Sequence, residues 1–164
     1  MWATLTAAGQ SRTLRFERVF PHPIDKVWAA LITPERLADW MCADAAVEPR
    51  LGGRFHLTFR NFDHSMTGEI IRFEPPHTLE YTWPEPSAGG DSRVLWELTA
   101  TPEGCRLVLT HTLPTGGDLP GFGSGWHWHL DALRGAIVAI AAPWDEASWR
   151  TLQAEYDRRW GGQA

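Results

Sequence analysis

Between residues 52 and 114 the apolar side chains recur at every second position, in five runs separated only by short turns. GGRFHLTFR (52–60) sets Phe55, Leu57 and Phe59 against Arg54, His56 and Thr58. TLEYTW (78–83) aligns Leu79, Tyr81 and Trp83. RVLWELTAT (93–101) aligns Val94, Trp96, Leu98 and Ala100, and RLVLTHTLP (106–114) aligns Leu107, Leu109, His111 and Leu113. A period of two is that of a strand with one face covered. Pro75-Pro76-His77 and Pro102-Glu103-Gly104 break the runs, because proline cannot continue a ladder and glycine permits tight turns. Consecutive strands joined by turns must pair antiparallel, and without intervening helices a βαβ protein is excluded. The run 66–74, MTGEIIRFE, fits two registers. One turns Glu69, Ile71 and Phe73 inward; the other turns Met66 and Ile70 inward and leaves Glu69 in water.

The flanks change period. Residues 1–11 read as a loose lead-in, and RTLRFERVF (12–20) as a first strand carrying Leu14, Phe16 and Arg18 on one face. In HPIDKVWAALI, Val27, Trp28 and Leu31 sit at helical spacing with Pro23 in the first turn. Thr33-Pro34-Glu35 predicts a second short helix carrying Leu37 and Trp40: a cap residue, a proline preset for the first helical position, and an acid that favours the helix start. After the Gly/Pro-rich stretch 114–125, a long helix is expected from a cap at Ser124 to Ala142. Trp126, Leu130, Leu133, Ile137 and Ile140 form its stripe. Pro143 interrupts it. Asp145 caps a last helix, with Trp144 and Trp149 spaced as a hydrophobic staple, and Trp149, Leu152, Tyr156 and Trp160 continue one face.

At 164 residues the chain suits one domain that buries roughly 70% of its extended surface. No linker divides it: a core spans 12–142 and an added helix spans 143–164. The net charge of −5 and the absence of a basic patch argue against a nucleic-acid partner. No stretch approaches the ~20 apolar residues of a membrane span. The first residues lack signal-peptide character, so a cytoplasmic location is expected. Cys42 and Cys105 form no metal spacing and read as reduced thiols. Ten Trp in one such chain imply a thick core, an aromatic-lined pocket, or both, and leave room for a homodimer.

Taken in order, ERVFPHPIDKVWAALITPERLADWM resembles the strand–helix–helix entry of the SRPBCC (START-like, helix-grip) superfamily. LGGRFHLTF, GEIIRFEPPHTLEYTW, RVLWELTATPEGCRLVLTHTLP and GWHWHLDAL are similar to the family named after the activator of heat-shock protein 90 ATPase. The resemblance implies an α+β helix-grip fold: about seven antiparallel strands, curved around a long C-terminal helix, with two short helices after the first strand and an apolar cavity between sheet and helix. Members bind lipids, sterols, polyketides or plant hormones, and some catalyse cyclisation or hydrolysis. The eukaryotic co-chaperone behind the name carries a further domain for its chaperone contacts, so that activity is not carried over.

The expected partner is therefore a small apolar molecule, with the pocket mouth at the Gly-rich loop near 115–125 and the hairpin turns. Its candidate contacts are Phe55, Leu57, Phe59, Glu69, Ile71, Tyr81, Trp83, Trp96, Leu98, Leu109, His111, Trp126, Leu130 and Leu133. Each apolar member is equally at home in a solid core. His111 could orient a ligand or move protons, or be a buried histidine satisfied by neighbours. Paired with an inward Glu69 it would make an acid/base couple for a cyclase or hydrolase. A protein-interaction module, such as a chaperone regulator, would instead show a filled core and an apolar patch near Trp128. His127 and His129, two apart on a helix, cannot share a metal and read as surface residues. Trp128, opposite the stripe, calls for cover from Trp149, Tyr156 or Trp160, or from a second subunit. GFGSG (121–125) matches no nucleotide-binding motif and no nucleophile elbow. No cofactor, metal site or catalytic residue is assigned.

Overall fold

A computed structural model describes residues 1–59, 65–84 and 86–162. Eight strands form one curved antiparallel sheet: β1 (Thr4–Ala8), β2 (Ser11–Phe20), β3 (Asp44–Val47), β4 (Arg54–Thr58), β5 (Ser65–Glu74), β6 (Thr78–Thr82), β7 (Arg93–Thr101) and β8 (Gly104–Pro114). Their order is β1-β2-β8-β7-β6-β5-β4-β3. The second strand and the last thus lie side by side, β2 pairing with β8 from Ser11↔Pro114 to Phe20↔Cys105. Four helices complete the fold: α1 (Ile24–Ile32), α2 (Pro34–Trp40), α3 (Leu119–Ala136) and α4 (Glu146–Trp160). None is long and apolar enough to cross a membrane among the described residues.

Two strands escaped the pattern. β1 lies in the expected lead-in and pairs with β2, but its residues are largely exposed, so no apolar alternation marks it. β3 is four residues, DAAV, at the far edge. Arg60, expected to end the strand after Phe59, and Glu85, expected in the following loop, lie outside the described residues.

Inward faces are those that alternation indicates. Leu14, Phe16, Arg18 and Phe20 of β2, Leu79 and Tyr81 of β6, and Leu107, Leu109, His111 and Leu113 of β8 are all buried. β5 decides its own ambiguity through a bulge: Ile70 pairs with Tyr81 but Arg72 pairs with Glu80, leaving Ile71 as the extra residue. Before the bulge Met66, Gly68 and Ile70 face inward; beyond it the phase flips and Phe73 packs against Trp28, ring centroids 5.7 Å apart. Glu69, whose side the two registers left open, and Ile71, both candidate ligand contacts, therefore stand on the outer face. Gly104 closes the β7–β8 hairpin at φ +132°, where a Cβ would also collide with the Phe20 carbonyl.

Helix α3 starts five residues before the expected Ser124. Asp118 is the cap, its carboxylate accepting from the Gly121 N–H at 2.9 Å. Glycines at 121, 123 and 125 have poor helix propensity, which hides this first turn from a pattern reading. Gly123 has a packing reason: a Cβ there would lie 2.7 Å from both the Tyr156 and Trp160 rings of α4. The helix also ends early, at Ala136. Val138 and Ile140 both donate to the Gly135 carbonyl, Ala139 takes φ +62°, and Ile140, expected in the apolar stripe, is 63% exposed. Helix α4 starts as expected: Asp145 accepts from the Ala147 and Ser148 N–H groups, and Trp144 meets Trp149 with ring centroids 5.7 Å apart.

α4 lies along α3 and changes the fate of the HWH segment. His127 is 7% exposed and shares a 3.0 Å hydrogen bond with the Tyr156 hydroxyl. The ring of His129 bonds the Trp40 carbonyl. His127 is buried under α4 and His129 half-buried against the end of α2, neighbours on the polar face that helical pattern alone does not reveal. Trp128 is covered by Trp144, ring centroids 4.6 Å apart, rather than by the α4 residues expected to do so.

Candidate functional site

Most of the space between the curled sheet and the long helix is filled. Phe55 and Tyr81 stack in parallel, centroids 4.0 Å apart. Trp96 stands edge-on to Trp126 and Trp40 and donates its indole N–H to the Tyr81 hydroxyl at 3.2 Å. Leu57, Leu98, Leu109, Leu130 and Leu133 are buried among them. These positions, together with Phe55, Tyr81 and Trp96, form a packed core of interlocked rings and branched side chains.

His111 belongs to that core. The Trp126 indole N–H donates to its Nδ1 at 2.9 Å. On the other side Ser92 Oγ lies 3.2 Å from Nε2, while the hydroxyl proton goes to the Trp83 carbonyl at 2.7 Å. Ser92 Oγ must therefore accept, so Nε2 carries the imidazole proton and the ring is neutral with both nitrogens satisfied. Burial pushes the His111 pKa down to about 3. The histidine ties β8, the start of β7 and α3 together. It forms no couple with Glu69, which is on the opposite face of the sheet.

Open space remains at one end, where α3 begins. A cavity of about 320 Å³ lies there. Phe59 and Trp83 wall it from the ends of β4 and β6, and Met41 from the end of α2. Phe122 and Trp126 reach in from α3, and Trp144 and Trp149 close it from the start of α4. Ser87 and Asp118, both exposed, stand at its rim, and His129 supplies a polar group to its wall. Gly121 and Gly125, one turn apart on α3, leave bare backbone as part of the lining. At Gly125 a Cβ would meet nothing within 4 Å. Packing does not demand glycine there.

Of the residues expected to line a pocket, Phe59, Trp83 and Trp126 do so. The aromatic surplus thus makes both a core and a pocket. Asp118, Gly121, Phe122 and Gly125 come from the Gly-rich stretch expected at the pocket mouth and Ser87 from the β6–β7 connection, whereas Met41, His129, Trp144 and Trp149 were not anticipated. The one available signal was the pair of glycines four residues apart, and that segment read as a loop.

His129 differs from His111. Its Nδ1 lies 2.9 Å from the Trp40 carbonyl, which can only accept, so Nδ1 carries the proton. Burial pushes its pKa down to about 4. The neutral ring then presents Nε2 as an acceptor, and that nitrogen makes no hydrogen bond among the described residues. Four indoles, of Trp40, Trp126, Trp128 and Trp144, surround the imidazole within 6.4 Å between centroids. The cavity can hold a flat apolar body against rings and offer it a fixed acceptor on His129.

Residues 21–137 match the family model described as activator of Hsp90 ATPase homolog 1-like protein. This chain belongs to that family. No curated protein sequence matches it. Among solved structures, protein MLL2253 of Mesorhizobium loti is 27% identical, with a TM-score of 0.71 over 80% of this chain and 100% of that one. CalU16 of Micromonospora echinospora is 26% identical, with a TM-score of 0.74 over 98% and 93% of the two chains. EF2215 of Enterococcus faecalis, titled a conserved protein of unknown function, shares the fold at 16% identity and a TM-score of 0.78, covering 99% and 92%. The activator-like family match spans α1 to α3 and stops before α4. Two walls of the cavity, Trp144 and Trp149, thus lie outside the matched region.

Proposed function

We propose that this activator-like domain binds a small, flat, hydrophobic molecule in the cavity at the start of α3. The observation that carries the reading is the pairing of six aromatic side chains around about 320 Å³ of space with a glycine, Gly125, that no neighbour requires. A glycine inside a helix costs about 0.5–1 kcal/mol relative to alanine, so its place on the cavity wall is explained by the room it leaves. The volume falls at the low end of the ~300–1,000 Å³ range for small-molecule sites, which suits an aromatic or polyketide-like body better than a long lipid. Binding would be driven by dehydration of apolar surface, about 25 cal/mol per Å² before the costs of association. The family's fold supports ligand binding in general. Among the described residues no acid/base pair lines the cavity in hydrogen-bonded contact, which favours binding over catalysis.

The test is native mass spectrometry of the purified protein before and after mild denaturation, with Gly125→Leu as the control. A stoichiometric apolar adduct, lost on denaturation and absent from the folded Gly125→Leu protein, is expected. An adduct retained by Gly125→Leu would place the ligand elsewhere and refute the assignment.

A further inference from the structure

Three polar groups of the cavity, on His129, Asp118 and Trp126, have assigned partners, and these choose among ligands. His129 gives its Nδ1–H to the Trp40 carbonyl, leaving Nε2 as an acceptor. Asp118 is a carboxylate at the rim. One of its oxygens caps α3 through the Gly121 N–H, so the helix start offers no vacant site for an anion. The indole N–H of Trp126 is already given to His111. A ligand carboxylate would enter past a like charge and lose water beside an acceptor. A neutral hydroxyl or amine would find on His129 the partner that its burial requires.

We infer that the cavity selects neutral aromatic molecules carrying a hydrogen-bond donor, a phenol or an aromatic amine, seated with that donor on Nε2 of His129, and that it discriminates against aromatic carboxylates. The inference rests on the ligand-binding reading above and specifies its ligand class. About two to three fused rings suit a cavity of this size.

Three probes of one shape separate the two claims: naphthalene, 2-naphthol and 2-naphthoate, titrated into the full chain at neutral pH by tryptophan fluorescence and calorimetry. 2-Naphthol is expected to bind about three- to tenfold more tightly than naphthalene, the worth of one net hydrogen bond. 2-Naphthoate should bind more weakly than 2-naphthol by more than about tenfold. The ¹⁵N resonance of His129 Nε2 should move with 2-naphthol and stay still with naphthalene. His129→Phe should erase the preference for 2-naphthol while naphthalene still binds. Asp118→Asn, which keeps a capping oxygen, should narrow the gap to 2-naphthoate.

If none of the three probes binds, both the cavity reading and this inference fall. If all bind equally, or 2-naphthoate binds best, the cavity stands and the selection is refuted. A preference for 2-naphthol without movement of the His129 resonance would overturn the assignment of the acceptor. Those two readouts use the unaltered protein, so they decide the matter even if a variant does not fold.

Discussion

Acidification should destabilise this protein well above the range where carboxylates titrate, and His111 should account for a definable part of that loss. In the unfolded chain the imidazole takes up a proton below its ordinary 6.5; in the native protein it does so only near 3. Between those values the unfolded state holds more protons, so stability falls as pH is lowered, by at most about 1.4 kcal/mol per pH unit for one group. From pH 7 to pH 5 the integrated loss for His111 is about 2 kcal/mol. That is a large share of the ~5–15 kcal/mol that holds an ordinary domain together. His129, pushed down to about 4 by burial, adds a similar loss. It is common to both proteins if wild type is compared with His111→Gln. Glutamine keeps one donor for Ser92 and one acceptor for Trp126 but cannot take the proton. The variant should be less stable at pH 7, by roughly 1–3 kcal/mol for imperfect hydrogen bonds, yet lose about 2 kcal/mol less than wild type between pH 7 and pH 5. Urea unfolding followed by tryptophan fluorescence at the two pH values measures this difference. Equal losses in the two proteins would refute the argument. So would ¹⁵N spectra showing His111 protonated on Nδ1, or charged, at pH 5.

Other substitutions probe separate parts of the structure. Gly125→Ala should stabilise the fold by about 0.5–1 kcal/mol, since no neighbour obstructs its Cβ, with the gain read as a raised urea midpoint. Gly123→Ala should do the opposite: its Cβ would press on Tyr156 and Trp160, costing about 1–3 kcal/mol and exposing α4 to proteolysis. Leu109→Ala, at a fully buried position of β8, should cost about 2–5 kcal/mol in the same unfolding assay. Trp144→Ala should raise the solvent exposure of Trp128, seen as a red-shifted emission and easier quenching by acrylamide.

Much of the architecture was legible because strand and helix periods are local properties. The alternation in β4, β6, β7 and β8 states which side chains face inward. The short turns require antiparallel pairing, and the ordered strings point to the helix-grip family that the match over residues 21–137 bears out. The cap at Asp145 and the Trp144–Trp149 staple were equally readable, because both depend on residues within one turn of each other.

What the sequence could not state depends on contacts between distant segments. β5 offers two registers of equal merit, and only its pairing with β6 places the bulge at Ile71 and sends Glu69 outward. His111 reads as inward, but its neutral, doubly bonded state comes from Ser92 and Trp126, 19 and 15 residues away. The start of α3 is masked by glycines whose purposes lie elsewhere: Gly123 admits the rings of α4, and Gly125 leaves space. Alternation says that Phe55, Leu57, Phe59, Trp83 and Trp126 all point to the interior, yet only three of them border the cavity. A side chain's direction is set by its own backbone, whereas an empty volume is what remains after every element has packed; the first is written locally, and the second exists only in the assembled fold.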